Sequence, residues 1–272
     1  MKGGRPKLSP YGVCKISIAF VRQLPNHKSY LVTQVLFGEY VKIISKKDKQ
    51  WYRVECMWDG TVGWIDPKQF HIIKEKELGK MQLECKTYTL DHLNGLNSSD
   101  ATIPISIGSN LSKCDGINVK MPFGQFQYHG QIVNTEHSKP SKKLLINIAR
   151  RYLHCPYLFG GRSILGLDAS GLTQVIYKLM GVKLPRSCSD QSIEGQDVGF
   201  RSQARAGDLA FFENNQGEID HVGIVLEDEQ IMHVFGQVRI DKLDQEGIYD
   251  LVKKKYIFKL RTIRRIIDIA EV

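Results

Sequence analysis

From Tyr11 to about Ile73 the chain runs in short, β-branched segments divided by turns. Val13, Ile16, Ile18 and Phe20 alternate in part with polar neighbours, as the buried positions of a half-buried strand do. Pro25–Asn26 breaks that run. Leu31–Phe37 leads into Gly38–Glu39, and Tyr40–Ile44, Trp51–Cys56 and Val62–Ile65 follow, the last after a turn at Asp59–Gly60. Strands of about five residues with glycine-bearing turns predict a small barrel or sandwich. Lys74–Gly79, charged and ending on glycine, reads as a linker. From about Lys80 to Val133 the texture repeats less regularly. Ile103–Ile107, Gly116–Met121 and Gln125–Val133 read as strands and Asn94–Ser99 as a polar turn, which predicts a second barrel of similar size.

Beyond the polar stretch Asn134–Lys143 the period changes. Ser141 is placed to cap a helix on which Leu144, Leu145, Ile148, Ala149, Tyr152 and Leu153 form one apolar stripe, ended by Pro156. A second amphipathic helix begins near Ala169, buries Leu172, Val175, Ile176 and Leu179, and stops at Gly181. Strand patterns follow at Leu209–Phe212, His221–Leu226, Gln230–Val234 and Val238–Ile240. Helices first and strands afterwards predict an α+β domain with an antiparallel sheet.

Composition narrows the class. The 272 residues, 42% hydrophobic and 25% charged, are those of an ordinary globular chain with room for two or three small domains. No run of about 18 apolar residues occurs, so no membrane span is expected. Met1–Lys7 is basic but no apolar stretch follows it; a secretory signal is not expected, and a cytoplasmic location is. Six cysteines without a C-x-x-C pair read as free thiols of a reducing compartment. Lys and Arg exceed Asp and Glu by 38 to 29, a net charge of +9 that suits an anionic polymer. No aromatic RNA-binding signature, zinc knuckle or helix-turn-helix pattern accompanies it, so nucleic acid is not an expected partner.

The chemistry concentrates in the last third. His221 and His233 are 12 residues apart on consecutive strand patterns, and a tight turn at Asp228–Glu229 would set them side by side. The second helix opens at Asp168-Ala169-Ser170-Gly171. A thiol at a helix start feels the positive end of the helix, which lowers its pKa. With a histidine base held by a second histidine, such a thiol makes a nucleophilic triad. Each residue has a plainer reading too: His221 as a core or edge histidine, Asp168 as an N-cap, Tyr157 as a core tyrosine. Cys155 and Cys188 lie near this stretch, but neither stands at a predicted helix start, and both read as small buried hydrophobes. No ligand spacing supports a metal, and none is expected.

Leu144–Ile240 resembles the NlpC-type family of cysteine peptidases, papain-related enzymes that hydrolyse bacterial cell-wall peptides. That family shows P-Y-x-W-G-G, D-C-S-G at a helix start, G-D-L, H-V-G-I and a third polar residue. This chain carries Pro156–Gly161 with Phe159 for the tryptophan, Asp168–Gly171 with Ala169 for the cysteine, Gly207–Leu209, His221–Ile224 and His233. Val21-Arg22 with Pro25, Gly38-Glu39, Trp51-Tyr52 and Gly63-Trp64 resemble bacterial SH3-like modules. Two such modules ahead of this domain resemble the dipeptidyl-peptidase VI type of γ-D-glutamyl-L-diamino acid endopeptidase.

The resemblance implies an α+β architecture: two small SH3-like β-barrels followed by a papain-like α+β peptidase domain with an antiparallel sheet. It divides the chain into residues 8–75, 79–136 and 140–272. It implies a cofactor-free cleavage between γ-D-glutamate and L-lysine or diaminopimelate, in a murein tripeptide or related small peptide with a free N-terminal L-alanine. Together with the missing signal it suggests peptidoglycan recycling in a bacterial cytoplasm. It also implies that the first SH3-like module walls the substrate cleft. Position by position, Ala169 stands at the nucleophile site, His221 at the general base and His233 at the orienting residue. Tyr157, Asp168 and Ser170 line the cleft, Asp168 near the substrate amine and Tyr157 near the reacting carbonyl, with Glu39 a further contact for that amine. Two departures touch specificity: Ser187 stands where the family often has an aspartate after Pro185-Arg186, and Thr61 where it often has a tyrosine. A third touches the reaction itself. Alanine offers no nucleophile, so the chain is expected to be inactive, either as a Cys-to-Ala form of an active parent or as a natural pseudoenzyme that binds muropeptide without cutting it.

Overall fold

The short β-branched runs near the N-terminus fold as strands in a computed structural model that describes residues 11–73 and 85–268. They are β1 (Tyr11–Cys14), β2 (Ile18–Arg22), β3 (Leu31–Leu36), β4 (Tyr40–Lys47), β5 (Trp51–Cys56), β6 (Val62–Ile65) and β7 (Phe70–Ile72). Among the described residues they form one antiparallel sheet in the order β3-β2-β6-β5-β4-β1-β7. One sequence expectation fails in detail. The chain breaks between β1 and β2, so the two-residue period restarts; Ala19 and Val21 face the core, while Phe20 is exposed with the Arg22 guanidinium over its ring. A one-residue shift of parity moves every side chain to the other face. The linker expected at Lys74–Gly79 lies outside the described residues.

The next strands are β8 (Thr87–Thr89), β9 (Leu93–Asn97), β10 (Thr102–Ser106), β11 (Asn118–Met121), β12 (Gly124–Tyr128) and β13 (Ile132–Asn134). They make a four-stranded sheet, β10-β9-β12-β11, and a separate β13-β8 ribbon. Both β modules lie in one compact unit, Met1–Thr135. They share a core in which Val13, Phe37, Tyr40 and Ile73 pack with Leu96, Leu111, Val119 and Tyr128. Gly38 shows how closely the backbones meet: its φ is +77°, and a Cβ there would overlap the carbonyl oxygen of Asn110, whose own N–H donates to Phe37 O at 2.8 Å.

The second unit, Glu136–Val272, begins with α1 (Lys142–Arg150), where the Ser141 hydroxyl accepts from Leu144 N at 3.2 Å as an N-cap. A short hairpin, β14 (Arg162–Ser163) and β15 (Gly166–Leu167), delivers the chain to α2 (Ala169–Leu179). This helix was expected to be amphipathic, yet all of its residues are buried, Gln174 and Lys178 included. It is covered because α1, β14 and the sheet strands all pack on it, and Gln174 Nε2 donates to Leu184 O at 3.0 Å. A four-residue helix, α3 (Cys188–Gln191), and the edge strand β16 (Gln196–Asp197) follow.

The remaining strands are β17 (Leu209–Glu213), β18 (Ile219–Val225), β19 (Gln230–Phe235), β20 (Gln237–Leu243), β21 (Gly247–Asp250) and β22 (Lys255–Arg265). They run antiparallel as expected, and because β22 pairs with both β17 and β21 the sheet closes into a six-stranded barrel. Register shifts between Phe211 and Phe212, and between Ile248 and Tyr249, mark where β22's partners bend around it. Its five lysines and arginines make β22 read as a solvated basic run, which hides it from a hydrophobicity pattern. Among the described residues no helix is long and apolar enough to cross a membrane.

Gly38→Ala is expected to lower the unfolding free energy by about 2–4 kcal/mol in urea titrations, since strain and a backbone overlap combine. Gly60→Ala shares the positive φ of +76° but meets nothing within 4 Å, and should cost only about 1 kcal/mol.

Candidate active site

Asp168 precedes α2 in extended conformation, and its side chain caps the helix by accepting from Gly171 N at 2.8 Å. The same carboxylate accepts from Gly160 N at 2.8 Å, so it ties the Pro156–Gly161 loop to the helix start. Arg186 completes the arrangement with a bidentate pair, Nη1 to Oδ1 at 2.9 Å and Nη2 to Oδ2 at 2.7 Å, both side chains being largely buried. Arg186 Nη1 also donates to Ser170 Oγ at 2.8 Å. The glycines are steric requirements: a Cβ on Gly171 would overlap Gly161 O, and one on Gly161 would overlap Gly166 O. Gln191 holds the far side, its Nε2 donating to Ser170 O at 3.1 Å and Pro185 O at 2.8 Å.

The structure places each expected contact residue in its own hydrogen-bond setting. Asp168 was expected near a substrate amine, but both of its oxygens are committed to backbone N–H groups and to Arg186, and Ser170 Oγ adds a contact at 3.3 Å. Ser170, expected in the cleft lining, is buried and bonded within this cluster. Glu39 is not a surface glutamate: it is buried in the first unit, where Oε2 accepts from Leu36 N at 2.8 Å across the β3–β4 turn. Tyr157, by contrast, is half-exposed, and the negative charge of Asp168 adds to partial burial in pushing its hydroxyl pKa up.

Cys188 also departs from its reading, because it is the first residue of α3, with Ser187 as the N-cap. Desolvation dominates its environment and pushes the thiol up to about 12; the Asp168 charge adds to this, against weaker help from Ser170 and Arg186. A thiol so placed is protonated at neutral pH. Ala169 is itself buried at the start of α2, which packs against β18 and β19.

Those two strands carry the histidines. The expected turn is present, with Asp228 and Glu229 both at positive φ, +54° and +56°, as a tight two-residue hairpin turn requires. The histidines are not directly opposite: Gly223 pairs with His233, which puts His221 one diagonal step away on the same face. His221 Nε2 lies 2.9 Å from His233 Nδ1, and His233 Nε2 lies 2.8 Å from Asp241 Oδ2 on β20. Arg239 reaches Asp241 Oδ1 at 2.6 Å and Asp250 Oδ2 at 3.6 Å. The stripe shares its face with Val225, Ile231 and Leu243 of the barrel's apolar cluster. Phe258 of β22 stacks on the His221 ring at 3.8 Å and 6°. Asp241, Arg239, Arg186 and Phe258 were missed by sequence reasoning; only the placement of Asp241, eight residues after His233 on a returning strand, offered a signal. Among the described residues no group of three or more His, Cys, Asp or Glu side chains is placed to hold a metal ion.

Burial, helped by the neighbouring His233, holds His221 well below the usual histidine value, and burial holds His233 down against the opposing pull of Asp241. The unfolded chain therefore binds more protons once pH falls below about 6.5, and stability falls with it. The unfolding free energy is expected to be lower at pH 5 than at pH 7.5. His221→Gln should shrink that difference by roughly half, as one of two such histidines is removed; denaturant titrations at the two pH values measure it.

Comparison with known proteins places these features. Residues 154–257 match the NlpC/P60 family, and residues 21–70 match the bacterial dipeptidyl-peptidase SH3 domain. The chain is 28% identical over 225 residues to a γ-D-glutamyl-L-lysine dipeptidyl-peptidase of Bacillus cereus, covering 75% of this chain and 67% of that protein. It is 25% identical over 250 residues to dipeptidyl-peptidase 6 of Lysinibacillus sphaericus, covering 82% and 88%. The crystal structure of an NlpC/P60 family protein from Bacillus cereus superposes with a TM-score of 0.78 at 23% identity, over 94% of this chain and 99% of that one, and so shares the fold. An NlpC/P60 endopeptidase from Photobacterium damselae gives 0.73 at 17% identity, over 93% and 70%. The capped helix start and the paired histidines therefore lie within an NlpC/P60 peptidase-family domain, and a bacterial dipeptidyl-peptidase SH3 domain precedes it in the chain.

Proposed function

We propose that this chain is a murein-peptide hydrolase in lineage, built to act on the bond between γ-D-glutamate and L-lysine or diaminopimelate in small peptides with a free N-terminal L-alanine, and silent for want of one sulfur atom. The named activities of the Bacillus and Lysinibacillus relatives support the substrate class. The hydrogen-bonded file His221–His233–Asp241 carries the reading, since base and orienting groups stand in order while position 169 holds only a methyl group. In this reading the positive end of α2 would stabilise a thiolate at position 169, and His221 would take its proton and return it to the leaving amine. Tyr157, half-exposed beside Asp168, would contact the reacting carbonyl.

A second reading, binding of muropeptide without cleavage, draws on one specific observation. Position 169 holds alanine, buried at the start of α2, so a peptide bound beside His221 would meet no nucleophile.

Ala169→Cys is expected to release dipeptide from L-Ala-γ-D-Glu-L-Lys, and Ala169→Cys combined with His221→Ala to abolish it by at least about 100-fold. Calorimetric binding of that tripeptide with no turnover by Ala169→Cys would favour the second reading. Neither binding nor turnover would overturn both.

A further inference from the structure

We propose that Asp241 is a positioning residue that fixes the tautomers of both histidines and leaves Nδ1 of His221 as the open lone pair. Its catalytic meaning rests on the hydrolase reading; the proton arrangement itself rests on geometry alone. Asp241 Oδ1 accepts from Arg239 Nη2 at 2.6 Å, and Oδ2 lies 2.8 Å from His233 Nε2. An ionised carboxylate only accepts, so His233 carries its proton on Nε2. Neutral imidazole has one N–H, which makes His233 Nδ1 an acceptor, and its partner at 2.9 Å, His221 Nε2, must therefore be the donor. The remaining nitrogen of His221, Nδ1, is then a lone pair, and no described residue hydrogen-bonds to it.

Asp241 is suited to hold this order. It is 8% exposed and His233 is fully buried, so water does not compete for the bond. Burial alone would push the carboxyl pKa up, but the hydrogen bonds from His233 and Arg239 outweigh it and keep Asp241 below the usual carboxylate range. Arg239 is anchored in turn by Asp250, which is 1% exposed. The groups form a diagonal file across β18, β19, β20 and β21, with β20 contributing both Asp241 and the Arg239 that lies between Asp241 and Asp250. Phe258 lies flat on His221 and holds the ring plane in which that file runs.

The test uses a substitution whose outcome the geometry dictates. In Asp241→Asn, Arg239 still requires an acceptor, so the amide oxygen stays on Arg239 and the amide N–H₂ faces His233 Nε2. That nitrogen must then accept, which moves the His233 proton to Nδ1 and the His221 proton to Nδ1 as well. Long-range ¹H–¹⁵N spectra of the chain as it exists should show Nε2-protonated His221 and His233, and Nδ1-protonated forms of both in Asp241→Asn. Asp241→Glu, which restores a carboxylate, should return the original pattern. An Nδ1-protonated His221 in the unsubstituted chain, or tautomers unmoved by Asp241→Asn, would overturn the proposal. Should Asp241→Asn fail to fold, the first of these measurements still decides it. In an Ala169→Cys background, Asp241→Asn should lower kcat by on the order of 10³–10⁴-fold, as a wrong tautomer does in a serine triad, with KM within about twofold. A failure of the hydrolase reading would remove that activity change and leave the spectra intact.

Discussion

One carboxylate organises the start of α2 and the segments that meet there. Asp168 caps α2, receives the loop through Gly160 N and closes a bidentate pair with Arg186, so three separate chain segments meet on two oxygen atoms. The cap alone is worth about 1 kcal/mol. The ion pair is a different matter. Stripping one partner from a buried pair leaves an uncompensated charge and typically costs about 3–5 kcal/mol. The two glycines follow from the same constraint. Once the loop is drawn onto the helix start, backbone approaches side-chain space at Gly161 and Gly171, and any Cβ would force the segments apart.

The electrostatic consequence is a division of labour. Arg186 pairs with Asp168 and offsets part of its negative charge, and what remains still raises the pKa of the Tyr157 hydroxyl and the Cys188 thiol. The positive end of α2 acts on position 169 against that residual charge. Cys188 shows the contrast within the same neighbourhood. It too begins a helix, but α3 is a single turn and the thiol is desolvated, and its pKa rises rather than falls. Helix starts do not activate thiols by themselves; the length of the helix and the solvation of the sulfur decide the sign.

Much of this was legible in the sequence where a residue's role is local. The Ser141 and Asp168 caps, the Asp228–Glu229 turn and the glycine pairs all depend on neighbours within a few positions, and the pattern reports them directly. The barrel's closure was not legible, because β22 alternates half-buried aliphatics with lysines and arginines and looks like a solvated face. Asp241 was missed for a related reason. Its importance comes from a diagonal register across three strands, and register is fixed by turn geometry and pairing rather than by composition. The parity error at Phe20 has the same origin: a break in the chain between β1 and β2 resets a period that the eye carries through. The backbone partners of Glu39 and Asp168 were likewise hidden, since a carboxylate's hydrogen bonds depend on how separate segments meet.

The barrel itself gives no reason for the histidine file. Its inner face is otherwise apolar, with Phe212, Val225, Ile231 and Leu243 around the polar stripe. Two neutral imidazoles, two carboxylates and a guanidinium in that setting carry desolvation costs that hydrogen bonds offset only in part, and well-packed apolar side chains of similar volume commonly do as well or better. The acid side of the stability profile pays again, because both histidines resist protonation when folded. A fold that needed only to be stable would be better served by leucine. The file makes physical sense as a device that holds one imidazole nitrogen unprotonated in a set direction, and that purpose survives whether position 169 presents a thiol to it or a bound peptide presents a donor. In the proposed reading a missing sulfur removes the reaction and leaves the file in place, and the two are separable because position 169 stands on α2 while His221, His233 and Asp241 stand on the barrel.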